Sequence, residues 1–121
     1  MKKIVLLSAL FLLIASVNAD ARIRIKGRGA AMHFDPASFP PNLQASLQLM
    51  NRKCVKCHTM ERAVIAVLTG RAPITGQRFD RQAVKAYGIK MLRKPNSNMN
   101  KQDIREVVVL LNYILEQNSK W

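Results

Sequence analysis

Cys54-Val55-Lys56-Cys57-His58 limits what this chain can fold around more than any other stretch. Two cysteines three apart, with a histidine directly after the second, form the spacing used for covalent attachment of haem c. Each thiol adds to a vinyl group of the porphyrin to give a thioether, and the adjacent imidazole reaches the iron from one face. These two cysteines are the only ones in the sequence, so no disulfide is left to staple the fold. Two other chemistries use the same residue types. A CxxC pair in an oxidising compartment can exchange thiol for disulfide, but that activity expects a βαβ setting and the sequence reads as helices. Zinc would need a fourth ligand beside Cys54, Cys57 and His58, and His33 is the only spare histidine.

The N-terminus reads as a secretory signal. Lys2 and Lys3 form a basic start, Ile4 to Val17 an apolar run, and Val17-Asn18-Ala19 a small-residue cleavage site. The apolar run is short for a membrane anchor, which needs roughly 20 residues. Cleavage after Ala19 and delivery to the periplasm are therefore expected. The chain of 121 residues is enough for one domain. A domain of that size buries a modest core, to which an apolar cofactor would add. The formal net charge is +13, falling to +11 without Lys2 and Lys3. Such a charge steers a protein toward acidic partners. An exported chain does not meet nucleic acid, and the charge is spread with no nucleic-acid-binding motif. An acidic redox protein is the expected partner, with a membrane-associated one also open.

Residues 20–40 read as an extension ahead of the domain. Asp20 to Ala31 is a basic arm with two glycines, and the prolines at 36, 40 and 41 hold the following backbone extended so that it can wrap the domain. From Pro41 the pattern becomes helical. Leu43, Leu47, Met50 and Cys54 fall on one stripe that ends at the motif. Met60 to Thr69 forms a second helix stopped by Gly70, and Arg71 to Gln77 a loop. Pro73 in that loop is placed to hold its preceding carbonyl behind His58. Asp80 caps a third helix carrying Val84, Tyr87 and Met91, which Lys94-Pro95-Asn96-Ser97-Asn98 ends. Asn100 and Asp103 mark the start of a long last helix with Ile104, Val107, Val108, Leu111, Ile114 and Leu115 on one face.

Iron held by His58 has one further axial position. A methionine there gives a centre suited to single-electron transfer, whereas an open position admits small ligands. The sulfur candidates are Met32, Met50, Met60, Met91 and Met99, with His33 as a nitrogen candidate. Met50 belongs to the core stripe, and Met60 is tied to the same side as His58. Met99 precedes the N-cap of the last helix, where it can staple against Ile104. Met91 has no comparable structural role and is the favoured ligand, with Met99 the alternative.

CVKCH at the end of a first helix, a later Met91-Leu92-Arg93-Lys94-Pro95 and the capped helix NKQDIREVVVLLNYIL together resemble a small class I monohaem cytochrome c. The resemblance covers roughly residues 41–117. It implies an all-α fold of three to five helices around one covalent haem, with terminal helices crossing. It also implies His58/Met91 ligation of iron and electron shuttling between membrane and periplasmic partners. Two departures stand out. The segment before Pro41 is not part of that family's common core, and no tryptophan lies between the motif and Met91, so Arg71, Arg78 or Tyr87 would have to meet a haem propionate. The expected domain layout is a signal at 1–19, an extension at 20–40 and a cytochrome domain at 41–121.

The sequence shows no second haem motif and no catalytic dyad, so an electron carrier, monomeric rather than an enzyme, is the leading expectation. Lys53, Lys56, Arg93 and Lys94 form the plausible docking set. A haem protein with an open sixth site, ligand-binding or peroxidatic, is the second reading. A haem subunit of a larger redox enzyme is the third.

Overall fold

The computed structural model describes residues 22–119; the signal-like segment at 1–19 lies outside them. Helix takes up 62% of these residues and strand very little, so the all-α expectation holds at that level. Two short strands, β1 (Ile25–Lys26) and β2 (His33–Phe34), precede four helices: α1 (Gln44–Lys53), α2 (Glu61–Thr69), α3 (Arg81–Leu92) and α4 (Lys101–Asn118). No helix among the described residues is long and apolar enough to cross a membrane.

The segment ahead of Pro41 packs where a loose arm was expected. β1 and β2 pair antiparallel, Ile25 opposite Phe34 and Lys26 opposite His33. Gly27 makes the turn possible, since at its φ of +79° a Cβ would sit 2.1 Å from the Ala31 carbonyl oxygen. Phe34 is 1% exposed and belongs to the same core as α1, α2 and α4. Its ring meets Phe39 edge-on at 6.3 Å, and Phe39 in turn lies 6.3 Å from Tyr113 of α4. The wrapping expected of the proline-rich stretch is thus present, anchored by two aromatic rings.

Asp35 holds this wrap together. Its carboxylate accepts from Arg24 Nε at 3.0 Å and from the Ala37 backbone N–H at 3.2 Å, with Lys26 Nζ 3.3 Å away. Burial pushes this carboxyl up, but the Arg24 hydrogen bond, the Ala37 N–H and the Lys26 charge outweigh it and hold the group below its ordinary value. Gln44, at the start of α1, donates to the Pro36 and Phe39 carbonyls at 2.8 and 3.1 Å. The wrap and the first helix are therefore joined by backbone-directed bonds.

Local chemistry sets the remaining helix ends. Gly70 ends α2 in the left-handed region at φ 67°. Asp80 caps α3 by accepting from the Ala83 N–H at 3.0 Å. Asn100 and Asp103 form a full capping box on α4, both bonds at 2.9 Å. α4 is the element on which α1, α2 and α3 all pack. Gly88 lets α3 come close, because a Cβ there would lie 3.1 Å from methyl groups of Ile104 and Val108. Leu110 and Ile114 of α4 are fully buried opposite Leu47 and Met50 of α1 in one core.

Candidate haem-attachment site

The attachment segment is delivered by α1. Leu43, Leu47 and Met50 are buried along its stripe, and Cys54, next on that stripe, is half-buried against the core. The Cys54 N–H still bonds the Met50 carbonyl. The helix then tightens into a 3-10 turn over Cys54–Lys56. Cys57 follows as its C-cap and is exposed. His58 is half-buried, and its Nδ1 lies 2.9 Å from the Thr59 carbonyl oxygen. A carbonyl only accepts, so Nδ1 carries the proton and donates it. Nε2 makes no hydrogen bond among the described residues.

Three chemistries share this donor set. Burial pushes the Cys54 thiol up to about 11, the opposite of the depressed thiol that a CxxC oxidoreductase employs. A zinc site needs its ligands to meet at one point roughly 2.0–2.3 Å from each. Among the described residues no three His, Cys, Asp or Glu side chains are grouped to do so. Haem asks for something else: two unpaired thiols spread along one turn and one imidazole with an available nitrogen beside them. Cys54, Cys57 and His58 fit that requirement.

The sixth-ligand candidates are sorted by burial. Met50 and Met60 are 1% and 6% exposed within the core, and Met32 is half-buried against it. His33 Nδ1 is 2.8 Å from the Ala31 carbonyl oxygen on the hairpin. Met99 is half-buried against the core, at the position expected of a staple before Asn100. Met91 is half-buried in the last turn of α3 and is not one of the side chains packed on the core cluster. His58 and Met91 stand on different supports. The attachment turn packs on α1, and α3 packs chiefly on α4, against which α1 also rests.

Several expected supporting roles fall elsewhere. The carbonyl before Pro73, that of Ala72, accepts from the Gly76 N–H at 2.8 Å, so Thr59 and not this loop supplies the acceptor for His58. Of the propionate candidates, Arg71 donates to the Gly76 carbonyl at 3.0 Å and Arg78 faces Asp80 at 3.5 Å. Tyr87 OH is 3.5 Å from the Thr75 hydroxyl. Lys53 is withdrawn from the docking set, because its Nζ is bound to Asp103 Oδ2 at 2.5 Å. That hydrogen bond, with the Asn100 N–H, holds the Asp103 carboxyl below its ordinary value and ties the end of α1 to the first turn of α4. Sequence reasoning missed this link. It also missed Lys90 and Ile89, exposed beside Met91, although their helical spacing to Arg93 was available.

Comparison of the chain with protein families, with characterised proteins and with solved structures finds no match.

Proposed function

We propose that this protein is an exported electron carrier of the class I cytochrome c type, holding one haem covalently through Cys54 and Cys57. In this reading His58 and Met91 would hold its iron. Its principal support is the His58 ring, whose Nδ1 is tied to the Thr59 carbonyl at 2.9 Å while Nε2 makes no hydrogen bond among the described residues and both motif cysteines are free. A hydrogen bond on the far nitrogen fixes the ring's tautomer and orientation and makes the near nitrogen a better ligand.

When bound, the iron porphyrin supplies a centre that accepts and gives up single electrons. The chain's own residues supply the rest. Cys54 and Cys57 hold the ring's edge at the end of the α1 stripe. His58, through Nε2, and Met91, through its thioether sulfur at the end of α3, would hold the iron. The apolar residues of α1 and α4 build the core against which Cys54 rests. An imidazole and a thioether are both uncharged donors, which suits one-electron exchange without displacement of a ligand.

The test is a visible spectrum and an intact mass of the periplasmic product made with working cytochrome-maturation machinery. The expected result is one haem per chain, a mass matching residues 20–121 plus one haem, and a weak methionine-to-iron band toward the red. Met91→Ala should remove that band, and Met99→Ala should keep it. Rapid uptake of carbon monoxide by the reduced wild-type protein, with no such band, would move the assignment to the open sixth site. A colourless, stably folded product overturns the proposal altogether.

A further inference from the structure

From Arg81 to Lys101 the chain has no aspartate or glutamate, yet it carries Arg81, Lys85, Lys90, Arg93, Lys94 and Lys101. Arg81 is matched by Glu116 at 3.6 Å. Lys90, Arg93 and Lys94 have no carboxylate partner among the described residues. They fall at i, i+3 and i+4, which places them side by side where α3 ends. Three cations so placed repel one another, and the negative end of the helix dipole offsets only part of that cost. Lys90 is steered over the Tyr87 ring, 5.9 Å from its centre.

These cations rim a shallow groove of about 400 Å³ whose remaining walls are Ala86, Ile89 and Pro95. Ile89 is 40% exposed and gives the groove an apolar wall. The next acid along the chain, Asp103, is already closed by Lys53. The groove therefore has an uncompensated positive rim around an uncovered aliphatic side chain.

We propose that this groove docks an acidic segment of a partner protein, with one apolar side chain seated on Ile89 and flanking carboxylates meeting Lys90, Arg93 and Lys94. The significance for electron exchange rests on the carrier reading above. Met91 falls between Lys90 and Arg93 in sequence, though it does not line the groove, so a partner held here stands about one helical turn from the assigned iron ligand. An anionic bilayer takes up apolar groups that project beyond their cations. Here the exposed aliphatic side chain and the cations line one concave groove, a shape that receives a protruding protein segment and not a flat bilayer. Weak redox encounters use small contact areas, and charge matching chiefly sets their rate and orientation.

The test uses the haem-loaded full chain and a fluorescent synthetic peptide of glutamates around one leucine, followed by anisotropy at 0.15 M ionic strength, where screening acts beyond about 8 Å. The variant K90E/R93E/K94E should weaken binding by at least about tenfold, as loss of three charge pairs predicts. Ile89→Ser should weaken it by about threefold with charge unchanged. R22E/R28E/R62E, with the same charge change elsewhere, should stay within about twofold. A retained methionine-to-iron band shows that each variant is folded. Equal losses in the two triple variants overturn the proposal, as does full binding by Ile89→Ser. Phosphatidylglycerol vesicles that need the groove while the peptide does not also overturn it, in favour of a membrane. A haem-free product that still binds through the groove removes the carrier reading and leaves the docking surface standing.

Discussion

The wrap around Phe34 and the segment from Cys54 to His58 have opposite characters. In the first, Phe34 and Asp35 are 1% and 2% exposed, and Asp35 meets two cations and a backbone N–H. In the second, Cys57 is exposed, and the His58 ring makes a single bond, to its neighbour's carbonyl. The chain places its directed bonds in the wrap, in the capping box and in the Lys53–Asp103 link. It places few around Cys54, Cys57 and His58. A buried polar group left unpaired is costly, whereas a half-exposed thiol or imidazole is not. The contrast is thus one between a rigid support and reactive atoms that the support does not use, as the proposed haem site would require.

The sharpest way to break this contrast is to remove the wrap. Phe34→Ala should destabilise the protein by about 3–5 kcal/mol, the usual loss for a buried aromatic, measured by urea unfolding. A loss below about 1 kcal/mol would make the segment an appendage and not part of the core. Gly27→Ala comes next. It puts a Cβ against the Ala31 carbonyl at positive φ, and about 1–3 kcal/mol is expected for a strained backbone of this kind. If that variant is as stable as the wild type, the hairpin turn takes another conformation in solution.

The sequence revealed those parts of the molecule that depend on near neighbours. The stripe from Leu43 to Cys54 follows helical period, and Asp80, Asn100 with Asp103, and Gly70 each act within one turn, so their roles were readable in the chain itself. The placement of Met99 before its capping box was readable for the same reason. The rest depends on contacts that have no period. Lys53 and Asp103 are fifty positions apart, and nothing in either neighbourhood marks them as a pair. Phe34 stands in a stretch rich in charge and glycine, and only the hairpin register turns it inward. The His58 acceptor was sought in the Pro73 loop, but the tightened turn brings the Thr59 carbonyl closer. The cofactor reading comes from five adjacent residues and stands as a proposal, whereas the packing around them depends on contacts that the sequence does not mark.

A smaller effect is expected at the capping box. Asn100→Ala should cost about 1 kcal/mol through loss of the Asp103 N–H acceptor. Acid should act on the same link. Asp103 and Asp35 are both held below their ordinary value of 3.8. A carboxylate with a depressed folded pKa contributes its full stability above the unfolded value and loses it as pH falls through the folded one. Stability should therefore be flat from pH 7 down to about 5 and then decline below 3.8. Asp103→Asn, followed by urea unfolding across that range, should show a shallower decline. An equally steep decline in the variant would assign the acid sensitivity to other groups.

The smallest stability effect is expected at Met91, and it is the most informative about the contrast. Met91 is half-exposed and unpacked by the core, whereas Met99 leans on it. In chain prepared without haem, Met91→Ala should leave the unfolding free energy within about 0.5 kcal/mol, as for a surface change. Met99→Ala should cost about 1 kcal/mol or more, since it withdraws a side chain packed on the core. In haem-loaded protein the order should reverse, because a ligand that binds only the folded state adds its binding energy to stability. Met91→Ala would then lose both the methionine-to-iron band and the stabilisation that accompanies it. If the two variants rank the same way with and without haem, Met91 is not the iron's partner, and the open character of the α3 terminus belongs to docking alone.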